Sequence, residues 1–407
     1  MSRLLKFKSS DIINNVIFFF LFLIISNTAE WCFNQNFIII IFGGILLIFL
    51  GKKLKVDFIA VLIAFYWFFI NMIYCLIFSD SFNFNRILGP LLLLGITYMS
   101  IKIIGKGFWE RFEKWIFYLT YISLFFFFFQ LIFPDFFERL SVVFGNYMAD
   151  FYKETRPNAW YIFFYTYSPI LGLSYIRNSG FMWEPGAFAM IVVIAILYRW
   201  FKYGVKIDKH TIIYFIAIFS TMSTAGYLSL IMIFVIFMIK EKKVWRMITY
   251  VILLLISLPF VMELDFMNDK INNYITSYHE SREHQNVRLE TIEYDRFSVF
   301  AINLKRTLEY PLGYGAYTIK DDFNSDFVGV NGLAVFMRMW GVLGLVYLMY
   351  AMFLFLKRLN DEKSYLVLLG MSVICIMFFS NPVERSPLLY LFVFSSFLWN
   401  KKRLYYG

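Results

Sequence analysis

Histidine and cysteine are nearly absent from this chain, with three of each among 407 residues. Cys75 and Cys375 fall inside apolar runs and Cys32 stands apart, so no disulfide framework or thiolate metal site can be assembled from them. His279 and His284 are five residues apart in H-E-S-R-E-H. That spacing sets them about 140° apart on a helix, unlike the i,i+4 pair of zinc proteases, so neither metal nor cofactor is expected. Charge is scarce too: 16% of residues are Asp, Glu, Lys or Arg, against 60% hydrophobic and a mean hydropathy of +0.65. A soluble domain of this length needs far more polar surface, so that class is excluded. The run Pro311-Leu312-Gly313-Tyr314-Gly315 reads as a tight turn. It lacks the strand–glycine loop–helix setting of a phosphate-binding loop. No internal repeat stands out, and no low-complexity stretch beyond phenylalanine-rich helix such as Phe125–Phe129.

What the chain does contain is a series of apolar runs long enough to cross a bilayer as helices. They lie near 12–26, 37–50, 56–78, 87–101, 115–133, 184–198, 211–222, 226–239, 247–262, 331–356, 364–380 and 387–399. The expected fold is therefore all-α, a single polytopic integral membrane domain over 1–407 with about 12 transmembrane helices. Lys52/Lys53/Lys55, Lys102/Lys106/Arg111/Lys114, Arg199/Lys202/Lys206/Lys209, Lys240/Lys242/Lys243/Arg246 and Lys357/Arg358/Lys363 cluster between alternate runs. With Arg3, Lys6, Lys8 and the tail Lys401/Lys402/Arg403, they place both termini and these loops in the cytoplasm. The net charge of +10 follows from this asymmetry and gives no reason to expect nucleic acid as a partner. Runs 211–222 and 226–239 are short; two crossings turning at Ser223–Gly226 keep Lys209 and Lys240 on one side, which a single tilted helix does not. Residues 1–30 imitate a secretory signal, but further spans follow, so an uncleaved first helix is expected.

Polar residues concentrate in two large outer loops, 134–178 and 263–330. Between Arg177 and Ala189 the chain reads R-N-S-G-F-M-W-E-P-G-A-F-A, with Glu184 at the mouth of an apolar helix. A charge at a helix centre in lipid costs roughly 2.5–3.5 kcal/mol on insertion scales, so charges placed near spans point to function. Glu184 before Pro185 also fits a carboxylate favouring a helix N-terminus. Residues 286–310 read as a helix on which Leu289, Ile292, Arg296, Phe300 and Asn303 share a stripe, leaving Arg288 and Arg306 off its edge. Arg296 is then either a side chain snorkelling to headgroups or an anion ligand. Arg338 lies about two turns inside the span opened by Asn331, and either satisfies neighbouring carbonyls or meets substrate. Gly341 and Gly344 suit close helix approach. Arg86 breaks the basic-inside pattern on the outer side, and Glu384 and Arg385 suggest an ion pair in a short outer turn. Trp160, Tyr161, Tyr165, Tyr167, Tyr175 and Trp183 serve either as an interfacial belt or as stacking surfaces for sugar rings.

Four patterns in order are S-G-F-M-W-E-P-G-A-F-A (179–189), S-T-A-G-Y (223–227), D-R-F with P-L-G-Y-G (295–297, 311–315), and N-G-L-A with G-V-L-G (331–344). With the span count, they make most of the chain resemble the bacterial O-antigen and capsule repeat-unit polymerases of the O-antigen ligase-like membrane family. Ligases of that family carry a histidine before the asparagine of the later helix, where this chain has Val330, which favours polymerase over ligase. An arginine often follows the serine of the second pattern, where Thr224 stands here, and an arginine-x₁₀-glycine repeat is not evident. The resemblance implies a metal-independent glycosyltransferase, without cofactor, at the outer face of the bacterial cytoplasmic membrane. Its partners would be polyprenyl-pyrophosphate-linked oligosaccharides, membrane lipids, a flippase and a chain-length regulator. In that chemistry Glu184 and Arg296 are the catalytic candidates, and Arg177, Arg86, Arg338 and Asn331 the pyrophosphate- and sugar-binding ones. Ligase activity, a lipid-linked oligosaccharide flippase and a non-catalytic export subunit stay open as alternatives.

Overall fold

The computed structural model describes residues 2–27, 35–78, 83–136, 139, 177–241, 296–317, 331–360, 363–384 and 386–398. These residues are all-helical. The helices are α1 (Ser2–Ser26), α2 (Gln35–Gly51), α3 (Phe58–Phe78), α4 (Phe84–Ile104), α5 (Phe108–Ile132), α6 (Pro185–Tyr203), α7 (Lys209–Ser220), α8 (Thr224–Glu241), α9 (Arg296–Glu309), α10 (Gly332–Asn360), α11 (Ser364–Ser380) and α12 (Pro387–Leu398). A 3-10 turn at Gly105–Gly107 separates α4 from α5. The expected span 247–262 and most of both large loops lie outside the described residues. Among the described residues, four stretches are long and apolar enough to cross a membrane: Phe58–Phe78, Phe84–Ile132, Pro185–Tyr203 and Gly332–Leu359. The outward faces of several helices are apolar as well, with Leu47, Leu76, Phe125, Phe219, Leu343 and Leu368 all exposed. An apolar exterior of this extent suits a bilayer rather than water.

α6 is the central element. Every residue from Ala187 to Tyr198 is buried, because α5, α7, α8, α10 and α11 pack around it. A helix apolar on all sides has no solvent face to offer, so burial at the centre is its stable position. Its start fixes one side of the molecule, the Glu184 side, and its end the other, the Lys202 side. Basic residues gather on the Lys202 side: Lys52 bonds Ile103 O, Lys102 pairs with Asp57, Lys202 with Glu110, and Lys240 reaches Trp200 O. α7 and α8 are two helices turning at Thr221–Ser223, as the spacing of Lys209 and Lys240 predicts.

The break in α10 is the feature that sequence periodicity does not reveal. Gly341 has φ +68° and ψ −173° inside an otherwise continuous helix. The P-L-G-Y-G turn fills the gap, and the backbone groups freed on each side find partners in it. Tyr314 N donates to Arg338 O (2.8 Å), Gly315 N to Met339 O (3.0 Å) and Val342 N to Pro311 O (2.9 Å). The Tyr66 hydroxyl, from α3, lies 3.1 Å from Trp340 O and 3.2 Å from Leu312 O. α9 runs beside the first part of α10 in the same direction, with Asn331 Nδ2 bonded to Arg296 O at one end and the turn at the other. From Leu312 to Tyr317 the chain then climbs back along α3, from Tyr66 past Asn71 to Cys75. Gly341 lies about 14 Å along α10, and Tyr66 about 18 Å along α3 from its Phe78 end, at 1.5 Å per residue. Residues 296–317 thus form a hairpin whose turn at Gly313–Gly315 is buried between α3 and α10, where irregular backbone is tolerated, while one face of α9 stays exposed at Phe297, Leu304, Lys305 and Leu308.

On the Lys202 side, Glu113 is buried on α5 and accepts from Arg199 (3.2 Å) and the Tyr214 hydroxyl (2.8 Å), with His210 at 2.9 Å. Arg199 also pairs with Asp208, the N-cap of α7, whose side chain accepts from Thr211 N (3.0 Å). Partial burial raises the Asp208 carboxyl, but the Thr211 amide and Arg199 outweigh it and hold it below its ordinary 3.8. Its stabilising contribution is full above that ordinary value and is lost as pH falls through the lowered folded one. Asp208→Asn should therefore flatten the acid limb of a pH–melting curve below about pH 4; an unchanged limb would assign the acid loss elsewhere.

The glycines at the break give a second test. A Cβ on Gly313, where φ is +96°, would stand 2.5 Å from Gly341 N. One on Gly341 would overlap Pro311 O. Gly313→Ala and Gly341→Ala should each cost at least about 3 kcal/mol, from left-handed strain plus overlap. Gly43, with nothing within 4 Å of a Cβ, should tolerate alanine and gain about 0.5–1 kcal/mol. Melting temperature in detergent is the measurement; equal melting of Gly341→Ala and wild type would contradict the backbone account.

Candidate functional site

Four helix ends meet on the Glu184 side, and a buried asparagine ties three of them. Asn381 caps the end of α11, with Nδ2 donating to Met377 O (2.7 Å). Its carbonyl accepts from Gly332 N (3.0 Å) at the start of α10. Its Oδ1 faces the first turn of α6, 2.8 Å from where a Cβ on Gly186 would stand. Asn331 adds the fourth end: Oδ1 caps α10 through Ala334 N (3.0 Å), and Nδ2 holds Arg296 O (3.1 Å) at the start of α9. Three sequence-predicted residues, Glu184, Asn331 and Arg296, therefore belong to one junction.

Glu184 is half-buried in extended conformation before Pro185 and makes no side-chain cap bond. Its Oε1 is enclosed without a partner among the described residues. Glu184 does stand at the N-cap position of α6, where the helix dipole favours a carboxylate as the sequence suggests, but its side chain makes no cap bond. Arg338, two turns below Asn331 on the same face of α10, is 5% exposed, so its placement within the bundle is firm. Arg296 is half-buried at the start of α9.

The turn gathers a second set. Tyr317 stacks on Tyr74 with centroids 4.7 Å apart, and Tyr314 packs against Tyr74, Phe78 and Tyr310. The Arg86 guanidinium, exposed at the start of α4, lies 5.9 Å from the Tyr317 ring centroid, within cation–π range. Arg306 and Arg338 both act electrostatically on the Tyr314 hydroxyl, as does Glu309. The periodicity of 286–310 sets Arg306 off the apolar stripe, whereas its side chain is half-buried. Val299, Asn303 and Thr307 form the buried face, with Arg306 half-buried beside them. Leu289 and Ile292, the first two residues of the expected stripe, lie outside the described residues.

Arg177 behaves differently. Its Nε and Nη2 donate to Thr221 O (3.0 Å) and Met222 O (3.1 Å), the carbonyls that end α7. Asn178 closes the same seam through Ser220 and Ser123. Met222 holds φ +46° there, a strained conformation for a non-glycine residue that these bonds help maintain. Arg177 is a helix-end clamp, whatever else it touches.

Sequence reasoning missed Asn381, Gly186, Tyr66 and Asn71. Asn381 had a signal, an asparagine before proline after an apolar run, in the turn otherwise noted for Glu384 and Arg385. Tyr66 and Asn71 had none, since both sit in the apolar periodicity of α3. Arg385, His279, His284 and the aromatic residues from Trp160 to Tyr175 lie outside the described residues. Among the described residues no three His, Cys, Asp or Glu side chains assemble as a metal site requires. Compared with known proteins, the chain matches no family model and no curated sequence.

If Arg177 is a clamp, Arg177→Ala should lower stability by about 2 kcal/mol, the scale of a hydrogen bond from a charged group, and Arg177→Lys should recover only part of it. The measurement is thermal melting of purified protein. An Arg177→Ala protein that melts like wild type would refute the clamp.

Proposed function

We propose that this chain is a polysaccharide polymerase of the membrane. In this reading it joins polyprenyl-pyrophosphate-linked repeat units at the outer face of a bacterial cytoplasmic membrane, with twelve spans and both termini inside. The observation that carries it is the junction itself. A carboxylate whose Oε1 has no partner among the described residues stands at the mouth of the central helix, and the same junction holds the starts of the two helices that carry Arg296, half-buried, and Arg338, buried. The order of the four sequence patterns supports the same reading, and so does the gathering of basic residues on the opposite side.

The reaction forms a bond between an acceptor sugar hydroxyl and the anomeric carbon of the growing glycan, and breaks the bond from that carbon to pyrophosphate. Glu184 takes the hydroxyl proton. Arg338 and Arg296, with Arg86 and Arg306 nearer the turn, receive the negative charge that develops on the leaving pyrophosphate. Arginine suits this because its charge is permanent and its fork matches phosphate oxygens. Donors fixed before the reaction spend no reorganisation energy when the charge appears.

A second reading, a flippase for the same lipid-linked sugar, is favoured by one observation. Transporters use discontinuous helices with charge beside the break, as α10 has at Gly341 with Arg338. Reconstitution separates the two. A polymerase extends glycans supplied on one face of a sealed vesicle, whereas a flippase only equilibrates them between faces.

Arg338→Ala and Arg296→Ala should reduce polymer formation by about a hundredfold, the scale of losing one charge-stabilising donor. Lysine at either position should restore little, because a point charge cannot reproduce two parallel bonds. Lys305, exposed on α9, should accept alanine without effect. Polymer length by gel, at matched membrane levels of each variant, is the readout. Full activity of Arg296→Lys would reduce that residue to a headgroup contact.

A further inference from the structure

On the Lys202 side, away from the junction, a cavity of about 700 Å³ lies between α1 and α5. Asp11 and Asn15 line it from α1, and Glu110, Arg111, Lys114, Trp115 and Tyr118 from α5. Small-molecule sites run to roughly 300–1,000 Å³, so it is large enough for a ligand. Asn15, Glu110, Lys114 and Tyr118 are exposed, and the cavity therefore opens to the outside of the bundle. Of the four charges that line it, three are already paired. Arg111 Nη2 meets Asp11 Oδ1 (2.5 Å), and Glu110 Oε1 meets Lys202 Nζ (2.5 Å). Lys114 is the exception: no carboxylate among the described residues pairs with it, and its ammonium stands 6.0 Å from the Tyr118 ring centroid. The cavity thus offers one uncommitted positive charge and no uncommitted negative one.

Both walls change from polar to apolar at this level. Asp11 precedes the apolar run of α1, and Lys114 that of α5. Trp115 and Tyr118 are the side chains that suit such a boundary between water and hydrocarbon. At about 100° per residue, Lys114, Tyr118, Tyr121 and Phe125 share one stripe of α5. That stripe stays exposed beyond the cavity, Tyr121 by 55% and Phe125 by 62%. On α1, Ile12, Val16 and Phe19 are exposed beside it. A charged pocket therefore leads directly onto an apolar exterior, which suits an amphiphile better than a soluble anion. We propose that the cavity holds the phosphate headgroup of an anionic phospholipid, with an acyl chain lying along the Tyr118–Phe125 stripe. Lys114 supplies the charge, and Arg111 has N–H donors beyond the one given to Asp11. Basic pockets between membrane helices are suited to such headgroups. A zwitterionic lipid would also bring an ammonium, for which both carboxylates here are already taken.

The test uses full-length protein in mild detergent, offered equal amounts of phosphatidylglycerol and phosphatidylcholine with identical chains. Native mass spectrometry counts the lipid retained. Wild type should keep phosphatidylglycerol about fivefold better, the scale of one basic residue at a lipid surface. Lys114→Gln should remove most of that preference, and Lys114→Arg should preserve it. Lys363 is the control: it starts α11 on the same side, is exposed, and has the Tyr365 ring 6.0 Å away, but lines no part of this cavity. Lys363→Gln should leave the preference unchanged. Equal retention of the two lipids by wild type overturns the proposal, as does a preference that survives Lys114→Gln. Equal loss in Lys363→Gln also overturns it, since net charge alone would then attract the lipid. Glycerol phosphate, which has the head without the chains, separates the two sources of phosphate. Glycerol phosphate bound by wild type as tightly as the lipid would replace the lipid site by a site for a soluble anion. Melting temperature of each variant confirms that its fold is intact.

Discussion

Backbone hydrogen bonding at Gly341 is the constraint on which the rest of this structure depends. A helix broken inside an apolar bundle exposes carbonyl and amide groups that lipid cannot satisfy, at several kcal/mol for each group left unpaired. Here the Pro311–Gly315 turn supplies partners on both sides of the break, and the Tyr66 hydroxyl, with one hydrogen to give, stands within reach of Trp340 O and Leu312 O. Neither half is stable without the other. The turn needs the break to accept its amides, and the break needs the turn to close its gap. The mutual approach is so close that side chains are excluded on both, which is why glycine stands at 313 and at 341.

From this lock the positions of the arginines follow. Once the turn is seated, α9 must run beside the start of α10, and that fixes Arg296 near Asn331 and Arg306 near Tyr314. Arg338 lies one turn above the break, so the same contacts that close the backbone also position its guanidinium within the bundle. On the other side of the junction, α6 sits at the centre, and its buried surround carries Glu184 to the mouth. Asn381 joins the two halves, bonded to α10 through its carbonyl and facing α6 through its side chain. Glu184 thus stands at a junction of helix ends, one of them the start of α9 that carries Arg296.

The Lys202 side has a different character. Its ion pairs satisfy one another: Glu113 with Arg199 and His210, Arg199 with Asp208, Lys202 with Glu110. Charges that are paired, and whose geometry joins α5, α6 and α7, serve to hold helices in register. Glu184 has no such partner among the described residues. The contrast between satisfied charge on one side and an uncommitted carboxylate on the other separates scaffold from candidate site.

Hydropathy and the spacing of basic residues determined the helical class, most helix positions, the pairing of α7 with α8, and the gathering of lysines on one side. These depend on local composition, and a helix in an apolar medium satisfies its backbone within itself, so sequence reads it directly. Glu184 and Arg296 were legible as candidates because charge beside apolar spans is rare, and Asn331 through the N-G-L-A pattern that opens its span. Only the tertiary structure decided that Arg177 clamps a helix end, that Arg306 is half-buried, that the turn at 311–315 seats in the break of α10, and that Asn381 faces Gly186. Each of these depends on groups far apart in the chain that meet because a backbone donor needs an acceptor, and the periodicity of a single helix carries no record of which distant group will supply it.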